Sequence, residues 1–380
     1  MANLLDTISG QPKVREYLRT LAATGAVSHA YLFCGPAGSG KMQAALALAQ
    51  TQVCPQGGCG ECEACKRVAR RSHPDVHLYQ PEGASGYLVE QVRQVVADVT
   101  LAPIQAQRKV YVLDRVDALG PSAANAFLKT LEEPPEGTLL VLLALTRESV
   151  LPTILSRCQV VPFRHVPASE AAGIVAQRTG VGVDQAAIAL QACGGSMDRA
   201  VEFCKSSEQR QLRGLVLSTL ASLRRADDWD LLQAAKNLTE AAKAPLADVE
   251  ARMEAKIQEN ADFLAKSAVR QIQAQNKRQL SARTAEYLRQ VSNVVRSWLR
   301  DCMMVCGECP QLVVNKDALS ALQDAAGATT QARCAAACAC VDDCERAWAG
   351  NVSPQTCLEA LLIQIRTVLY DPDCSGKPAL

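Results

Sequence analysis

A glycine-rich loop near the start of the chain is the first candidate for a site that does chemistry. The segment Gly35-Pro-Ala-Gly-Ser-Gly-Lys41 follows a short apolar run and precedes a stretch typical of a helix. Glycines allow successive backbone N–H groups to face phosphate oxygens, and Lys41 can reach the outer phosphates. We therefore predict a phosphate-binding loop (P-loop) that contains Gly35, Gly38, Gly40 and Lys41.

The residues around this loop lack two groups that ATP hydrolysis needs. Met42 stands where a Ser or Thr hydroxyl would bind Mg²⁺, and a thioether is a poor ligand for a hard cation. The apolar run that begins at Val110 ends in Asp114, which can act on a metal, but Arg115 follows where a second acid would activate water. We expect no hydrolysis by this chain alone. Whether ATP still binds is left open by the sequence.

Four cysteines just after the P-loop segment have the spacing of a metal site. Cys54, Cys59, Cys62 and Cys65 form the pattern C-x4-C-x2-C-x2-C, and the glycines among them permit tight turns. Four thiolates make a closed tetrahedral site for Zn²⁺ with no open position, which indicates a structural role. The alternatives are a thiol-rich loop without metal and an iron–sulfur cluster.

The cysteines near the C-terminal end are interpreted differently. They mostly occupy positions where helical periodicity favours small apolar residues, a role that buried cysteine fills well. These residues are Cys302, Cys306, Cys309, Cys334, Cys338, Cys340 and Cys344. We predict that they are packing residues and not a second metal site.

Composition limits the class of protein. A chain of 380 residues suggests two or three domains, and 48% hydrophobic residues can form a sizeable core. The formal net charge is +1, so the whole molecule has no field that would attract it to nucleic acid or membrane. The N-terminal segment lacks the pattern of a signal peptide, and there is no apolar stretch of about 18 residues. We expect a cytoplasmic protein without a membrane span, whose 17 cysteines are reduced thiols or metal ligands.

Strand and helix signals alternate over residues 1–165. Short apolar runs bounded by turns or charges predict strands of a buried parallel sheet at Tyr31–Cys34, Val76–Tyr79, Val110–Asp114, Leu139–Ala144 and Gln159–Phe163. Between the third and fourth runs we predict a helix that Ser122 caps and Pro134 ends. This pattern is typical of a doubly wound α/β domain.

The remaining chain reads as helical. Residues 166–207 predict two or three short helices, and residues 208–380 predict a longer helical domain. Two apolar stripes mark buried helix faces. One consists of Leu288, Val291, Val295, Trp298, Leu299 and Cys302, and the other of Leu358, Leu361, Leu362, Ile365, Val368 and Leu369. Residues 249–284 are charged and Gln-rich, which favours a long solvated helix.

Several motifs in the first 205 residues, together with the P-loop and the cysteine cluster, resemble one family. They are Gly10-Gln11, Ser28-His-Ala-Tyr-Leu-Phe33, His73-Pro-Asp-Val76, Ala123-Ala-Asn-Ala-Phe-Leu-Lys-Thr-Leu-Glu-Glu-Pro-Pro135, Ile154-Leu-Ser-Arg-Cys158 and Gly195-Ser-Met-Asp-Arg-Ala200. The family is that of the bacterial clamp-loader subunits of DNA polymerase III, and the delta-prime type is the nearest. Beyond residue 205 the resemblance is weaker, and Trp298–Asp301 and Asn351–Leu362 resemble collar helices of delta-prime.

The resemblance implies an AAA+ P-loop domain with a parallel sheet, a small helical lid and an all-α collar that holds the subunit in a ring. It implies that Thr146 is the sensor-1 residue and that Arg157 is an arginine finger, which acts in the ATP site of a neighbouring subunit. The implied partners are the gamma/tau and delta subunits and the sliding clamp. Primed DNA would be reached through the complex.

Two other functions remain open. An active gamma/tau-type ATPase would need a hydroxyl after Lys41 and an acid after Asp114. A zinc-dependent nucleic-acid-binding module would use Lys66, Arg67, Arg70 and Arg71 as phosphate contacts, although the same side chains also suit a solvated helix face. A small-molecule kinase is disfavoured because no substrate-binding acid or base stands out.

Overall fold

The computed structural model describes residues 4–82, 86–259, 266–350 and 352–371. The chain divides into two compact units. The N-terminal unit comprises Met1–Ile174 with Ser196–Asp198, and the C-terminal unit comprises Val175–Gly195 with Arg199–Leu380. The three-part division at residues 165 and 207 stays a prediction. In the part of the chain that the structure describes, no helix is both long and apolar enough to cross a bilayer.

A five-stranded parallel sheet forms the centre of the N-terminal unit. Its strands are β1 (Ala30–Cys34), β2 (Val76–Tyr79), β3 (Lys109–Leu113), β4 (Thr138–Ala144) and β5 (Gln159–Pro162). The spatial order is β2-β3-β4-β1-β5, so β1 lies between β4 and β5. Tyr31 pairs with Val141 on one side and with Gln159 on the other. All five predicted strands and the α/β fold class are therefore confirmed.

Helices cover both faces of this sheet. They are α1 (Pro12–Thr24), α2 (Lys41–Val53), α3 (Glu63–Ala69), α4 (Val89–Val99), α5 (Pro121–Glu132) and α6 (Pro152–Leu155). The next helix, α7 (Ala168–Thr179), continues into the C-terminal unit. Successive strand residues point to opposite faces, so Phe33 joins one buried cluster with Leu48, while Leu32 joins another with Phe127. Burial on both faces explains why the strands are continuous apolar runs.

Helix α5 corrects one prediction. The helix begins at Pro121, with Gly120 in an extended conformation at the N-cap position and no side-chain cap, so Ser122 does not cap it. Proline is pre-set for the first helical position because its φ is fixed and its missing N–H would have had no helical partner there. The helix ends at Glu132, shortly before Pro134, as predicted.

The described part of the C-terminal unit is helical. Helices α8 (Val183–Ala192), α9 (Met197–Lys205), α10 (Ser207–Ser222), α11 (Asp228–Glu259), α12 (Lys266–Cys306), α13 (Leu319–Ala326), α14 (Gln331–Ala349) and α15 (Pro354–Tyr370) follow one another. Both predicted apolar stripes are buried, one on α12 and the other on α15. The predicted solvated helix at 249–284 falls within α11 and α12 in part, and residues 260–265 of it lie outside the described residues.

Buried cysteines contribute to the packing of these helices. Cys302 on α12 and Cys334, Cys340 and Cys344 on α14 are all buried. Burial raises the pKa of the Cys334 thiol to about 12, which keeps it protonated and apolar in character at neutral pH. Their predicted role as packing residues is confirmed for these four positions.

Asp75 fixes the loop between α4 and β3. The carboxylate is fully buried and accepts three backbone N–H bonds, from Ile104 at 2.6 Å and from Gln105 and Ala106 at 2.7 Å each. Burial alone would raise the pKa of Asp75, but the three amide bonds outweigh it and hold the pKa below its usual value. The His73-Pro-Asp-Val76 motif therefore has a structural explanation in this chain.

Replacing Asp75 by Asn should destabilise the folded chain by about 1–3 kcal/mol at neutral pH, because charge-assisted hydrogen bonds in a buried site are lost. The folded-state pKa lies below the unfolded one, so the contribution is present above about pH 4 and declines as the pH falls through the folded value. Urea unfolding of the full chain at several pH values measures both effects.

The matched control is Glu90→Gln, which removes an exposed carboxylate that pairs with Arg93 at 3.6 Å. That change should cost less than about 1 kcal/mol. If Asp75→Asn is no more destabilising than this control at pH 7, the loop does not depend on the Asp75 carboxylate.

Candidate functional site

The candidate site lies at the carboxyl edge of the sheet. The P-loop follows β1, Asp114 follows β3, and Thr146 comes two residues after β4. Because β4 lies between β1 and β3, these three segments meet at one edge, where ligands of open α/β sheets bind. The P-loop, Asp114 and Thr146 therefore all follow strands at the same edge of the sheet.

Backbone conformation prepares the loop for phosphate. Gly38 and Gly40 have φ of +74° and +84°, in the left-handed region that favours glycine. Helix α2 begins at Lys41, directly after Gly40, so the free N–H groups of its first turn face the loop. An anion-binding arrangement of this kind needs no metal and depends on the main chain alone.

Gly35 holds the loop against the neighbouring strand. Its N–H donates to the Ala144 carbonyl at 3.2 Å, and the Phe163 N–H donates to the Cys34 carbonyl at 2.7 Å. A Cβ at position 35 would lie 2.6 Å from the Phe163 carbonyl oxygen and 2.7 Å from the Phe163 Cβ. Glycine is required here because two main chains approach closely.

Gln11 braces the loop from outside the P-loop segment. Its side-chain amide nitrogen donates to the Ser39 carbonyl at 3.0 Å and to the Arg164 carbonyl at 2.8 Å, and its Oε1 accepts from the Arg164 N–H at 3.1 Å. Gln11 is buried, so these hydrogen bonds are shielded from water. Gly10-Gln11 was recognised in the sequence as a motif, but the hydrogen bonds of Gln11 to the loop were not predicted from it.

Lys41 is the principal cation of the site. Its ammonium donates to the carbonyl oxygens of Gly35 and Pro36, the latter at 2.8 Å, and to Ser39 Oγ at 3.4 Å. Burial lowers the pKa of Lys41, and the Asp114 carboxylate acts in the opposite direction. Burial likewise raises the pKa of Asp114, opposed by Lys41. Each of the two charges therefore stabilises the other across the site.

The positions that should serve metal chemistry are occupied by other groups. Met42 packs, partly buried, against the core cluster beneath the loop. Arg115 has φ of +57°, and its guanidinium lies 3.8 Å from the Asp117 carboxylate. Neither side chain offers an oxygen ligand for Mg²⁺ or a base for water, so these residues do not fit a catalytic metal.

Asp117 is a member of the site that sequence reasoning missed. Its side chain is only 9% exposed, and its Oδ1 is buried without a hydrogen-bond partner in the described structure. Its position three residues after Asp114 could have identified Asp117 from the sequence. Thr146, by contrast, is exposed, and its hydroxyl accepts the Ser149 N–H at 3.2 Å.

The four cysteines of the predicted cluster converge on one point. Cys54 Sγ lies 3.7 Å from Cys59 Sγ and 3.6 Å from Cys62 Sγ, and all four sulfurs lie within 4.8 Å of one another. Four sulfurs placed tetrahedrally at about 2.3 Å from a metal would be about 3.8 Å apart. This cluster could hold a metal ion.

Local backbone geometry shapes the cluster. Gly57, Gly58 and Gly60 all have positive φ, and this allows the chain to turn between the first cysteines. Backbone N–H groups donate to sulfur, from Cys62 to Cys59 and from Cys65 to Cys62, both at 3.4 Å. Such bonds stabilise thiolates, which are the metal-binding form.

Arg157, the predicted arginine finger, is hydrogen-bonded to residues of its own chain. Arg157 Nε donates to Glu132 Oε1 at 2.8 Å, and its Nη1 donates to the Thr153 carbonyl at 2.8 Å and to Ser156 Oγ at 3.1 Å. The side chain remains 31% exposed, just before β5. It is therefore ordered by neighbours and still open to solvent.

The N-terminal part of the chain is similar in sequence to known replication proteins. Residues 10–167 match the family model described as DNA polymerase III, delta subunit. Relatives include the delta-prime subunit of DNA polymerase III from Bacillus subtilis, 39% identical over 157 residues, which are 40% of this chain and 47% of that protein. Residues 10–167 are therefore similar in sequence to clamp-loader subunits of the delta-prime and gamma/tau types.

Two further relatives are also subunits of DNA polymerase III. The delta-prime subunit from Pseudomonas aeruginosa is 42% identical over 149 residues, which are 37% of this chain and 45% of that protein. The gamma/tau subunit from Mycobacterium tuberculosis is 34% identical over 198 residues, which are 50% of this chain and 34% of that protein. The chain thus covers less than half the length of each of these relatives.

Of the basic residues in and just after α3, Arg67 is held by neighbouring side chains and the other three are exposed. Arg67 pairs with Glu63 at 3.2 Å and donates to Gln105 Oε1 at 3.2 Å, while Lys66, Arg70 and Arg71 are exposed. Four thiolates with one divalent cation would carry a net charge of about −2, and Lys66 and Arg67 on α3 would offset part of it.

Gly35→Ala should distort the P-loop, because the added methyl group meets the Phe163 backbone. We expect a loss of about 1–3 kcal/mol in the free energy of unfolding. The control is Gly173→Ala on α7, where an added Cβ meets nothing within 4 Å. That change should stabilise the chain by up to about 1 kcal/mol, since alanine favours helix. Equal stability of the two variants in urea unfolding would contradict the close approach at Gly35.

Proposed function

We propose that this chain is a delta-prime-type subunit of a bacterial clamp loader that does not hydrolyse ATP itself. The observation that carries the proposal is the combination within one unit of a formed P-loop with Met42 and Arg115 in the catalytic positions. An active gamma/tau-type ATPase is disfavoured by the same two residues. The subunit would work with gamma/tau and delta subunits in the DNA polymerase III holoenzyme, in the cytoplasm.

In this role the chain would help to open the sliding clamp and load it on primed DNA. The net charge of +1 gives the chain no general attraction to DNA, so DNA would be contacted through the assembled complex. The predicted lid, residues 166–207, and the predicted collar, residues 208–380, would place the P-loop unit in the ring. The helical C-terminal unit is consistent with a collar that joins subunits.

Nucleotide binding fits this chain better than nucleotide hydrolysis does. Gly38, Gly40 and Lys41 supply the groups that hold phosphates, and these would bind ATP or ADP without a metal. Hydrolysis would also need a metal ligand near Lys41 and a base near the attacking water, and Met42 and Arg115 provide neither.

The purified chain should therefore show no Mg²⁺-dependent ATP turnover above background. Phosphate release with and without Mg²⁺ measures this, and Lys41→Ala is the control, since it removes the cation of the P-loop. Turnover that requires Mg²⁺ and disappears in Lys41→Ala would show that the chain is an active ATPase.

We also propose that the metal of the four-cysteine cluster is Zn²⁺ with a structural role. Cys54, Cys59, Cys62 and Cys65 give an all-sulfur donor set, and Zn²⁺ accepts such sets in closed tetrahedral sites. The cluster connects α2 to α3, so the metal would hold these two helices together. It would leave no position for substrate.

Metal analysis of the purified chain should find one zinc per molecule. Replacing Cys62 and Cys65 together by Ala should abolish it and lower the stability of the N-terminal unit, because metal binding contributes to folding. The matched control replaces Cys334 and Cys338 by Ala and should leave the zinc content unchanged. Iron in place of zinc, or zinc retained in the first variant, would contradict this assignment.

Arg157 would act as an arginine finger in the ATP site of a neighbouring gamma/tau subunit. The guanidinium is planar, permanently charged and suited to phosphate oxygens. It is partly exposed at the end of α6, next to the strand that flanks the P-loop strand. A subunit that supplies this group contributes to hydrolysis although its own site is inactive.

Arg157→Ala should fold and assemble normally yet lower the ATPase and clamp-loading rates of the reconstituted complex. Arginine fingers contribute about 10³–10⁵ in rate at a single site, but the loss here should be partial, because gamma/tau subunits carry fingers for the other sites. Arg157→Lys should rescue poorly because it lacks the forked geometry. Full wild-type rates in the Arg157→Ala complex would exclude the finger role.

A further inference from the structure

Glu132 contacts Arg157 across two helices that are far apart in sequence. Glu132 is the last residue of α5, and Arg157 follows α6 by two positions. The carboxylate oxygen Oε1 accepts from Arg157 Nε at 2.8 Å and also from Nη2. One oxygen therefore receives two donors along one edge of the guanidinium.

Hydrogen bonds to two further residues also fix the Arg157 guanidinium. An arginine side chain has five N–H donors in a rigid plane. Two are used by Glu132, and the two on Nη1 are directed to the Thr153 carbonyl and Ser156 Oγ. Among the described residues this leaves one Nη2 hydrogen for an external acceptor. The plane of the guanidinium is thus set by α5 on one edge and by α6 on the other.

We propose that Glu132 is a positioning residue for Arg157, which holds the guanidinium ready for a phosphate oxygen in the neighbouring ATP site. The proposal rests on the finger role given to Arg157 above. A long arginine side chain loses rotamer freedom when it binds, and a side chain that is already ordered avoids this loss. Glu132 would therefore act on the rate of hydrolysis through Arg157 and would touch neither ATP nor metal.

The opposite role for Glu132 makes an opposite prediction. If the carboxylate restrained Arg157 as a latch, it would compete with phosphate for the guanidinium, and its removal would accelerate hydrolysis. Two features favour positioning. Thr153 and Ser156 hold only the Nη1 edge of the guanidinium, so Glu132 is needed to fix the opposite edge, and one hydrogen on Nη2 remains available while the pair is intact.

The test uses the complete chain reconstituted with gamma/tau and delta subunits, clamp and primed DNA, and measures kcat and KM for ATP. Glu132→Ala should lower kcat about two- to tenfold, the range expected for ordering one side chain, with KM unchanged. Glu132→Gln keeps an oxygen acceptor at the same place and should retain most of the wild-type rate. Glu133→Ala is the matched control, because Glu133 is the exposed neighbour that caps the same helix, and it should behave as wild type.

The double variant Glu132→Ala/Arg157→Ala should be no slower than Arg157→Ala alone, because Glu132 acts only through Arg157. Wild-type or faster hydrolysis by Glu132→Ala would overturn the positioning role, and so would equal losses in the Ala and Gln variants. If Arg157→Ala itself has no effect, the finger role fails, and this result is distinct from a failure of Glu132 alone. Unfolding curves of each variant verify that the chains are folded before assembly.

Discussion

The close approach of Gly35 to Phe163 is the constraint on which the candidate site depends. Position 35 has no room for a side chain, since a Cβ would lie 2.6 Å from a backbone oxygen. The contact joins the end of β1 to the end of β5, and the Phe33 and Phe163 rings, with centroids 5.2 Å apart, pack beneath it. Because Arg157 lies just before β5, the P-loop and the proposed finger are connected through the same pair of strands.

In the proposed function, the P-loop would bind phosphate without catalysing hydrolysis. Lys41 and the loop amides remain in place, while Met42 has become part of the core and Arg115 pairs with Asp117. In the proposed function such a site would bind phosphate but would not activate water. The chemical contribution would then come from Arg157, which would act outside its own subunit. A protein of this type would affect hydrolysis by geometry, since it would supply one cation at a fixed place to a site on another chain.

The sequence predicted the features that depend on residues close together in the chain. The P-loop and the cysteine cluster are local patterns, and apolar runs bounded by charges identified all five strands. The contacts of Gln11 and Glu132 were not predicted, because only the tertiary fold brings their partners close. Gln11 contacts Arg164, 153 residues away, and Glu132 contacts Arg157, 25 residues away. The cap at Ser122 was predicted wrongly. Sequence preferences for Ser at a cap and Pro in the first turn compete there, and Pro121 fixed the start of the helix.

Clamp loading on primed DNA tests most directly whether this chain is a working subunit of a clamp loader. Gamma/tau and delta subunits from the same genome are combined with a labelled sliding clamp, with or without this chain, and the clamp retained on primed DNA is measured. If the chain is such a subunit, loading requires the chain and saturates at a fixed stoichiometry to the other subunits. Loading at the same rate without the chain, while the chain remains outside the complex, would contradict it.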